Sequence, residues 1–281
     1  MRKLLGPPAF LATFLGAALL GCGAGQSATG ARATTNAAPD PAVLAAEIDR
    51  AQESIDDAAT SPSGLREAGR SEQLAFRQLA DHPHLRRATL ASLSRSGRFA
   101  TKAALNASDA LARIVPHERR FPRWRIIAPP PPDRLLGYFR AAGARYRIPW
   151  EYLAAVEFVE TRMGRIRGLS SAGAKGPMQF LPATWAEYGR GNINSQHDSI
   201  MAAARFLAAN GARRHIGNGL FHYNPSRSYV TAVESYAHEM LRDQRAFYGY
   251  YNWQVFYRTT RGTFLLPVGY PRVRPERLPG R

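Results

Sequence analysis

The stretch PWEYLAAVEFVET, residues 149–161, decides the fold because it predicts a helix with an acidic group near its end. Pro149 suits the first turn of a helix, where its missing N–H costs no hydrogen bond. Leu153 and Val156 then follow at helical spacing. Glu160 follows apolar residues, where burial would raise the pKa of its carboxyl by disfavouring the charged form. The stretch therefore predicts an apolar helix that carries a carboxyl able to stay protonated.

Helical patterns extend from this stretch in both directions. Apolar residues recur at three-to-four spacing through 42–115, and further helices are predicted at about 182–188, 198–210 and 226–248, with a loop at 213–219. Asp133 and Asp198 are interpreted as helix caps, which for Asp198 is favoured over a catalytic role. No strand–helix–strand repeat occurs. The sequence predicts a mainly α protein.

Composition divides the chain into six predicted segments. They are a signal peptide (1–21), a flexible tether (22–41), a helical N-terminal region (42–115), a Pro/Arg-rich linker (116–132), the main helical domain (133–250) and a C-terminal extension (251–281). The N-terminal region is interpreted as a helical spacer or docking module. In the linker, the cluster around Trp124 either grips an anionic polymer or packs its Trp on the next domain.

The C-terminal extension predicts a small β-hairpin. Residues 250–257 alternate enough for a strand, and residues 263–268 can pair with them through a turn at Arg261-Gly262. The Pro- and Arg-rich end from Pro271 is expected to be disordered.

The charge of the chain favours an anionic partner. It has 281 residues with 38 basic and 21 acidic side chains, a formal net charge of +17. Nearly all of the excess is arginine. Nucleic acid, acidic lipid and an anionic wall polymer all fit such a charge.

The N-terminal sequence indicates which of these partners to expect. Arg2 and Lys3 precede an apolar stretch, residues 4–20, which is too short and too interrupted for a membrane span and predicts an export signal. The sequence Leu-Leu-Gly-Cys ending at Cys22 resembles the bacterial lipobox, in which the Cys is lipid-modified. An ordinary signal peptide with a chance Cys is the alternative. We therefore expect an extracytoplasmic protein of the cell envelope, lipid-anchored to a membrane, with no nucleic-acid partner.

Four segments in the second half of the chain form one pattern. They are LAAVEFVET (153–161), SSAGAKGPMQFLPATW (170–185), the helix at 198–211 and HYNP (222–225). The pattern resembles the catalytic domain of the soluble lytic transglycosylases, which are lysozyme-like enzymes acting on peptidoglycan. The resemblance covers about residues 133–250. It implies a lysozyme-like catalytic domain and glycan strands of peptidoglycan as the substrate.

The resemblance also implies roles for individual residues. Glu160 matches the Glu of the family's Glu-Ser motif and is implied to be the catalytic acid and base. The implied substrate-binding residues are Thr161, Ser170, Met178, Gln179, Tyr223 and Asn224. The chain departs from the family at Thr161, Pro177 and His222, where the family has Ser, Leu and Ala. The hydroxyl at position 161 is kept.

The chemistry of these side chains suits glycan cleavage. A glycosidic bond needs an acid that is protonated near neutral pH, and amides such as those of Gln179 and Asn224 can orient N-acetyl sugars. Glu157 lies one turn before Glu160 and is the rival acid, a salt-bridge partner, or a like charge that raises the pKa of Glu160. Met178 is either a core residue or a substrate contact.

The reaction is predicted from the lack of a second carboxyl. Residues 161–186 contain no Asp or Glu, so the muramoyl 6-hydroxyl of the substrate is the expected nucleophile and a 1,6-anhydro sugar the expected product. A lysozyme-type hydrolase, a non-catalytic wall-binding lipoprotein and an exported nucleic-acid binder, which rests on charge alone, are the alternatives.

No cofactor and no metal is expected. The sequence has no His-Glu-x-x-His zinc motif and no Gly-rich phosphate loop. Related membrane-bound transglycosylases can carry an acidic calcium loop after the Gln segment. Here residues 189–195 contain no carboxylate, which argues against calcium.

Overall fold

The computed structural model of the chain describes residues 39–115 and 118–279, most of which are helical. The helices are α1 (Pro41–Asp56), α2 (Pro62–Asp81), α3 (Arg86–Ser92), α4 (Arg95–Ala112), α5 (Pro132–Tyr146), α6 (Trp150–Thr161), α7 (Pro182–Tyr188), α8 (Gln196–Ala209), α9 (Ile216–Tyr223), α10 (Arg227–Arg242) and α11 (Ala246–Asn252). The strands are β1 (Arg125–Ile126), β2 (Ile166–Arg167), β3 (Val255–Thr259), β4 (Gly262–Leu266) and β5 (Glu276–Arg277). The mainly α prediction is confirmed. The predicted signal peptide (1–21), Cys22 and nearly all of the tether lie outside the described residues.

The N-terminal helices are packed into the main body of the protein. Hydroxyl and carboxyl caps begin them: Asp40 accepts from the N–H of Ala42, and Ser61 and Ser94 cap α2 and α4. One hydrophobic core runs from Leu44 in α1 to Trp253 after α11. Region 42–115 is therefore helical as predicted, but it is part of this core, whereas a spacer would stand apart from it.

The predicted linker contributes a strand. Strand β1 pairs antiparallel with β2, which follows α6, with Ile126 opposite Ile166. Trp124 is buried, and its ring meets the ring of Tyr257 edge-on at 5.3 Å between centroids. The alternative in which this Trp packs on the neighbouring structure is the one observed, and the pairing ties the segment before α5 to the end of α6.

The two aspartates predicted as helix N-caps, Asp133 and Asp198, are not at the N-cap positions. Helix α5 begins at Pro132 after Pro131, and Asp133 in its first turn accepts a hydrogen bond from the Tyr248 hydroxyl (2.7 Å). Helix α8 is capped by Ser195, whose Oγ accepts from the N–H of Asp198. Both aspartates lie inside the first turn, where a carboxylate favours the positive end of the helix.

The helices after α8 differ from the prediction in their bounds. The expected loop at 213–219 runs into α9, and the single helix expected at 226–248 is divided into α10 and α11. The break falls at Asp243, whose carboxyl accepts from the backbone of Arg245 (2.8 Å). Side-chain bonds of this kind compete with the helix backbone and end it.

The C-terminal hairpin is confirmed and is extended by a third strand. Strands β3 and β4 pair with Thr259 opposite Gly262 at the turn. The first strand begins at Val255, later than predicted, because residues 250–252 belong to α11. Strand β5 adds to β4, and Leu278 is buried. The expectation of disorder from Pro271 is wrong for residues 271–279, because these residues complete the sheet.

Candidate active site

Helix α6 carries the acid through the middle of the core. Every residue from Glu151 to Thr161 is buried, which fits a helix that is apolar on all sides. The helix ends in three successive left-handed residues, Arg162 (φ 54°), Met163 (φ 57°) and Gly164 (φ 74°). Such conformations cost energy in residues other than glycine and cluster at functional sites. The strained end of α6 directly follows Glu160.

The loop 176–179 is closed by its flanking residues and packs against the end of α6. Lys175 and Phe180 exchange two backbone hydrogen bonds of 2.9 Å across the loop. Gln179 has a left-handed backbone (φ 49°), and its Nε2 donates to the Gly176 carbonyl (2.9 Å). These bonds fix the direction of the Gln179 side chain.

Thr161, Ser170 and Met178 support the site from behind. The Thr161 hydroxyl donates to the Pro177 carbonyl (2.6 Å) and accepts from the N–H of Gly164 (3.1 Å), which joins α6 to the loop. The Ser170 hydroxyl accepts from two backbone N–H groups of its own turn. Met178 is completely buried. These three predicted binding residues do not line the cleft beside Glu160; for Met178 the core alternative is the one observed.

A cleft, of about 380 Å³ when its part open to solvent is counted, brings the other predicted site residues together. It is lined by Glu160, Gln179, Phe180, Leu181, Thr184, Phe206, Tyr223 and Asn224. The Tyr223 hydroxyl donates to the Met178 carbonyl, which holds the end of α9 against the loop. The cleft thus offers one carboxyl, two amides and aromatic faces, a set suited to a sugar ligand.

Burial controls the acidity of Glu160. The residue is 7% exposed, and desolvation raises the pKa of its carboxyl to about 8. The Tyr229 hydroxyl in the first turn of α10 lies near this carboxyl and opposes the rise in pKa by favouring the charged form. At neutral pH the carboxyl is mostly protonated, so it can act as a general acid.

Glu157 has a similar acidity but a different position. Burial raises the pKa of its carboxyl to about 8, opposed by the charge of Arg167 and by the Gln196 side chain. It is 0% exposed and does not line the cleft. A Cβ on Gly164 would lie 1.8 Å from Gln196 Nε2, so glycine is needed there for this amide to reach the Glu157 carboxyl. Glu157 and Gln196 are neighbouring polar side chains inside the core, but among the described residues neither the carboxyl oxygens nor the amide atoms have a hydrogen-bond partner.

Asp198 supports the neighbouring loop. Its Oδ2 accepts from the N–H of Asn192 (2.9 Å), and this bond together with that to His197 lowers the pKa of the carboxyl.

In the described part of the chain, no group of three or more His, Cys, Asp or Glu side chains is placed to hold a metal ion. Over the same residues, no helix is both long and apolar enough to cross a membrane.

Sequence reasoning missed Tyr229 and the apolar walls of the cleft. Tyr229 is fully buried on the same helix as other buried aromatic residues, so its spacing is that of an ordinary core residue. Phe206 lies in the last turn of α8, and its ring meets that of Tyr223 edge-on at 5.4 Å between centroids. Which core aromatics face the acid depends on how α8, α9 and α10 pack, and no sequence signal gives that.

Comparison with known proteins was made at three levels. No family model, no curated protein and no solved structure matches the chain. The function is therefore argued from the geometry and chemistry of the cleft.

Proposed function

We propose that the protein is a peptidoglycan lytic transglycosylase with a lysozyme-like catalytic domain. It cleaves the β-1,4 bond between N-acetylmuramic acid and N-acetylglucosamine and leaves a 1,6-anhydro end. One observation carries this proposal: among the described residues that line the cleft, Glu160 is the one carboxyl, and burial raises its pKa to about 8.

The first step uses Glu160 as an acid. Its proton passes to the glycosidic oxygen while the bond from that oxygen to C1 of the muramoyl sugar breaks. The leaving sugar departs as an alcohol, and Glu160 is left as a carboxylate. The Tyr229 hydroxyl facing the carboxyl stabilises this charged form.

The second step uses the same group as a base. The Glu160 carboxylate takes the proton of the muramoyl 6-hydroxyl, and O6 bonds to C1 to close the 1,6-anhydro ring. No water is consumed, and the acid is regenerated. The amides of Gln179 and Asn224 hold the N-acetyl sugars so that O6 lies over C1. Holding the reacting atoms in place lowers the entropic part of the barrier to ring closure.

The cleft favours this route over hydrolysis. An inverting hydrolase holds a second carboxyl about 6.5–9.5 Å from the acid to activate water, and a retaining one holds a nucleophile at about 5 Å. Among the described lining residues none besides Glu160 can serve. Glu157, one turn earlier, is enclosed in the core.

The products of sacculus digestion test the proposal. We expect muropeptides about 18 Da lighter than lysozyme products, because ring closure omits one water. Mass spectrometry of the soluble fragments measures this difference. Reducing-end muropeptides as the main species would instead establish a hydrolase, and intact sacculi would indicate a binding protein.

A matched pair of variants tests the assignment of the acid. Glu160→Gln should lower the cleavage rate by at least about 100-fold, the usual contribution of general acid–base catalysis. Glu157→Gln should keep most of the activity, because at neutral pH this carboxyl is mostly protonated and glutamine resembles it. The reverse result would move the acid to Glu157.

We also propose that Cys22 anchors the protein to a membrane in the cell envelope. Cys22→Ala should move the protein from the membrane fraction to the soluble fraction while sacculus cleavage by the released protein continues. Fractionation and immunoblotting measure this, with Ser27→Ala in the proposed tether as a control. Retention of Cys22→Ala in the membrane would contradict the lipid anchor.

A further inference from the structure

A second cavity lies between the N-terminal helices and the helices that carry the proposed site. The space between its walls, counting the part open to solvent, is about 440 Å³, and it shares no lining residue with the cleft. Its walls are Gln73, Phe76, Arg77, Ala104, Ser108, Leu111, Arg162, Tyr236, Trp253 and Phe256. Helices α2, α4 and α10 contribute most of them, and Arg162 enters from the end of α6.

Arg162 brings a buried positive charge to this cavity without a carboxylate partner. The residue is 6% exposed, and its guanidinium lies 4.3 Å from the centre of the Phe158 ring. Its Nη1 donates to the Phe158 carbonyl (3.4 Å), it hydrogen-bonds Tyr236, and the Tyr250 phenol lies nearby, whereas its Nε has no hydrogen-bond partner in the described part of the chain. Among the described residues, the lining of the cavity includes no Asp or Glu.

Two other partly buried arginines of the described chain have carboxylate partners. Arg86 makes a bidentate bond to Asp109 with distances of 2.7 and 2.9 Å. Arg77, in the wall of the same cavity, pairs with Asp81 (3.4 Å). A buried charge is costly unless it is paired, so an anion next to Arg162 would offset the cost of burying its guanidinium.

The remaining walls define the shape of such an anion. The Gln73 amide is held in place by bonds to both the N–H and the carbonyl of Gln254. Ser108 is half-buried and adds a hydroxyl. The other surfaces are the apolar faces of Phe76, Leu111 and Phe256. One charged end and a short apolar body therefore fit the cavity.

We propose that this cavity binds a small monocarboxylate, with its oxygens on the Arg162 guanidinium and its apolar part against Phe76, Leu111 and Phe256. The carboxylate comes either from a free short-chain acid or from the carboxyl end of a short peptide. The site is independent of the proposed glycan chemistry, and its experiment uses no glycan.

Titration followed by tryptophan fluorescence tests the proposal, because Trp253 lines the cavity. The full chain is titrated with propionate, with D-alanyl-D-alanine and with the neutral propionamide at constant ionic strength. We expect a saturable change with one or both carboxylates and affinity for propionamide at least about tenfold weaker, since bonds to charged groups are the stronger ones. Tighter binding of propionate identifies the free acid as the source, and tighter binding of the dipeptide identifies the peptide end.

Variants of the cavity wall separate binding from a change in folding. Arg162→Gln should abolish the saturable signal, and Ala104→Leu should do so by filling the space while keeping the charge. Lys102→Gln, on the exposed face of α4, should bind as the wild type does. If Arg162→Gln fails to fold, Ala104→Leu decides. Equal response to propionamide, wild-type affinity in Ala104→Leu, or no saturable signal with either carboxylate would overturn the proposal.

Discussion

Glu157 and Glu160 lie on one helix and share a pKa of about 8, raised by burial, yet their positions give them different roles. Glu160 reaches the cleft, whereas Glu157 is enclosed between Arg167 and Gln196. A raised pKa alone therefore does not identify a catalytic acid, because structural carboxyls in a core show the same shift. Access to a ligand separates the two.

Tyr229 moderates the effect of burial on the pKa of Glu160, and its removal gives a testable pH effect. The hydroxyl lowers the pKa of Glu160 against the larger effect of burial. Tyr229→Phe should raise this pKa further, so the alkaline limb of the pH–activity profile should move to higher pH. The rate of sacculus clearing between pH 6 and pH 10, approximately the range over which such a carboxyl titrates, measures the shift.

Tyr223→Phe is the matched control for this shift. Its hydroxyl bonds the Met178 carbonyl, so its loss should loosen the loop and lower the rate without moving the alkaline limb. If Tyr229→Phe left the limb in place, the facing hydroxyl would not be what adjusts the acid.

At the scale of the elements, the position of the loop 176–179 depends on the close contact of its Gly176 backbone with the Ile193 carbonyl. Gly176 has a left-handed backbone (φ 76°), and a Cβ there would lie 2.0 Å from the Ile193 carbonyl oxygen. The loop can therefore contact the segment before α8 only with glycine at this position. The contact holds Gln179 at the cleft.

Gly176→Ala should displace the loop and lower both stability and activity. Gly173→Ala is a matched control, because Gly173 has a similar φ of 82° but nothing within 4 Å of its added Cβ. The control should lose only about 1 kcal/mol, the cost of a left-handed alanine. Denaturant unfolding and sacculus clearing measure both variants, and equal losses would show that the clash with Ile193 is relieved without consequence.

At the scale of the whole molecule, a cluster of buried carboxyls joins the N-terminal helices to α10 and α11. Glu72 of α2 accepts from Trp253 Nε1 (2.8 Å), and Glu239 of α10 accepts from the Tyr250 hydroxyl. Burial raises the pKa of Glu72 to about 7 and that of Glu239 to about 8.

These shifts predict that stability falls as pH rises. In the unfolded chain a glutamate ionises near its ordinary pKa of 4.5, while in the folded protein it keeps its proton until pH 7 or 8. Between these values the folded state binds more protons, so the free energy of unfolding decreases with pH. The contribution is complete below pH 4.5 and is lost as pH rises through 8.

Melting temperatures from pH 5 to pH 9, spanning approximately this range of pKa values, at constant ionic strength measure the effect. The double variant Glu72→Gln/Glu239→Gln should show a shallower decline, because two of the titrating groups are gone. A melting temperature that rises across the range would contradict the assignment of these carboxyls as protonated in the folded protein.

The sequence by itself determined the helical character and the identity of the cleft residues that carry polar groups. Apolar spacing predicted α6 and the helices around it, because period and burial are linked within one helix. The motif at 176–179 and the Tyr223–Asn224 pair led to Gln179, Tyr223 and Asn224, which the fold brings to one cleft with Glu160. Their roles in catalysis remain a proposal.

Only the tertiary structure decided which of the predicted side chains line the cleft. Thr161, Ser170 and Met178 were predicted as binding residues, but the Thr161 hydroxyl bonds the loop, the Ser170 hydroxyl bonds its own turn and the Met178 side chain is buried. Tyr229 and the Arg162 cavity arise where helices distant in sequence meet. Local pattern fixes which residues share a helix face, whereas contacts between helices depend on the packing of the whole core, which no short stretch of sequence contains.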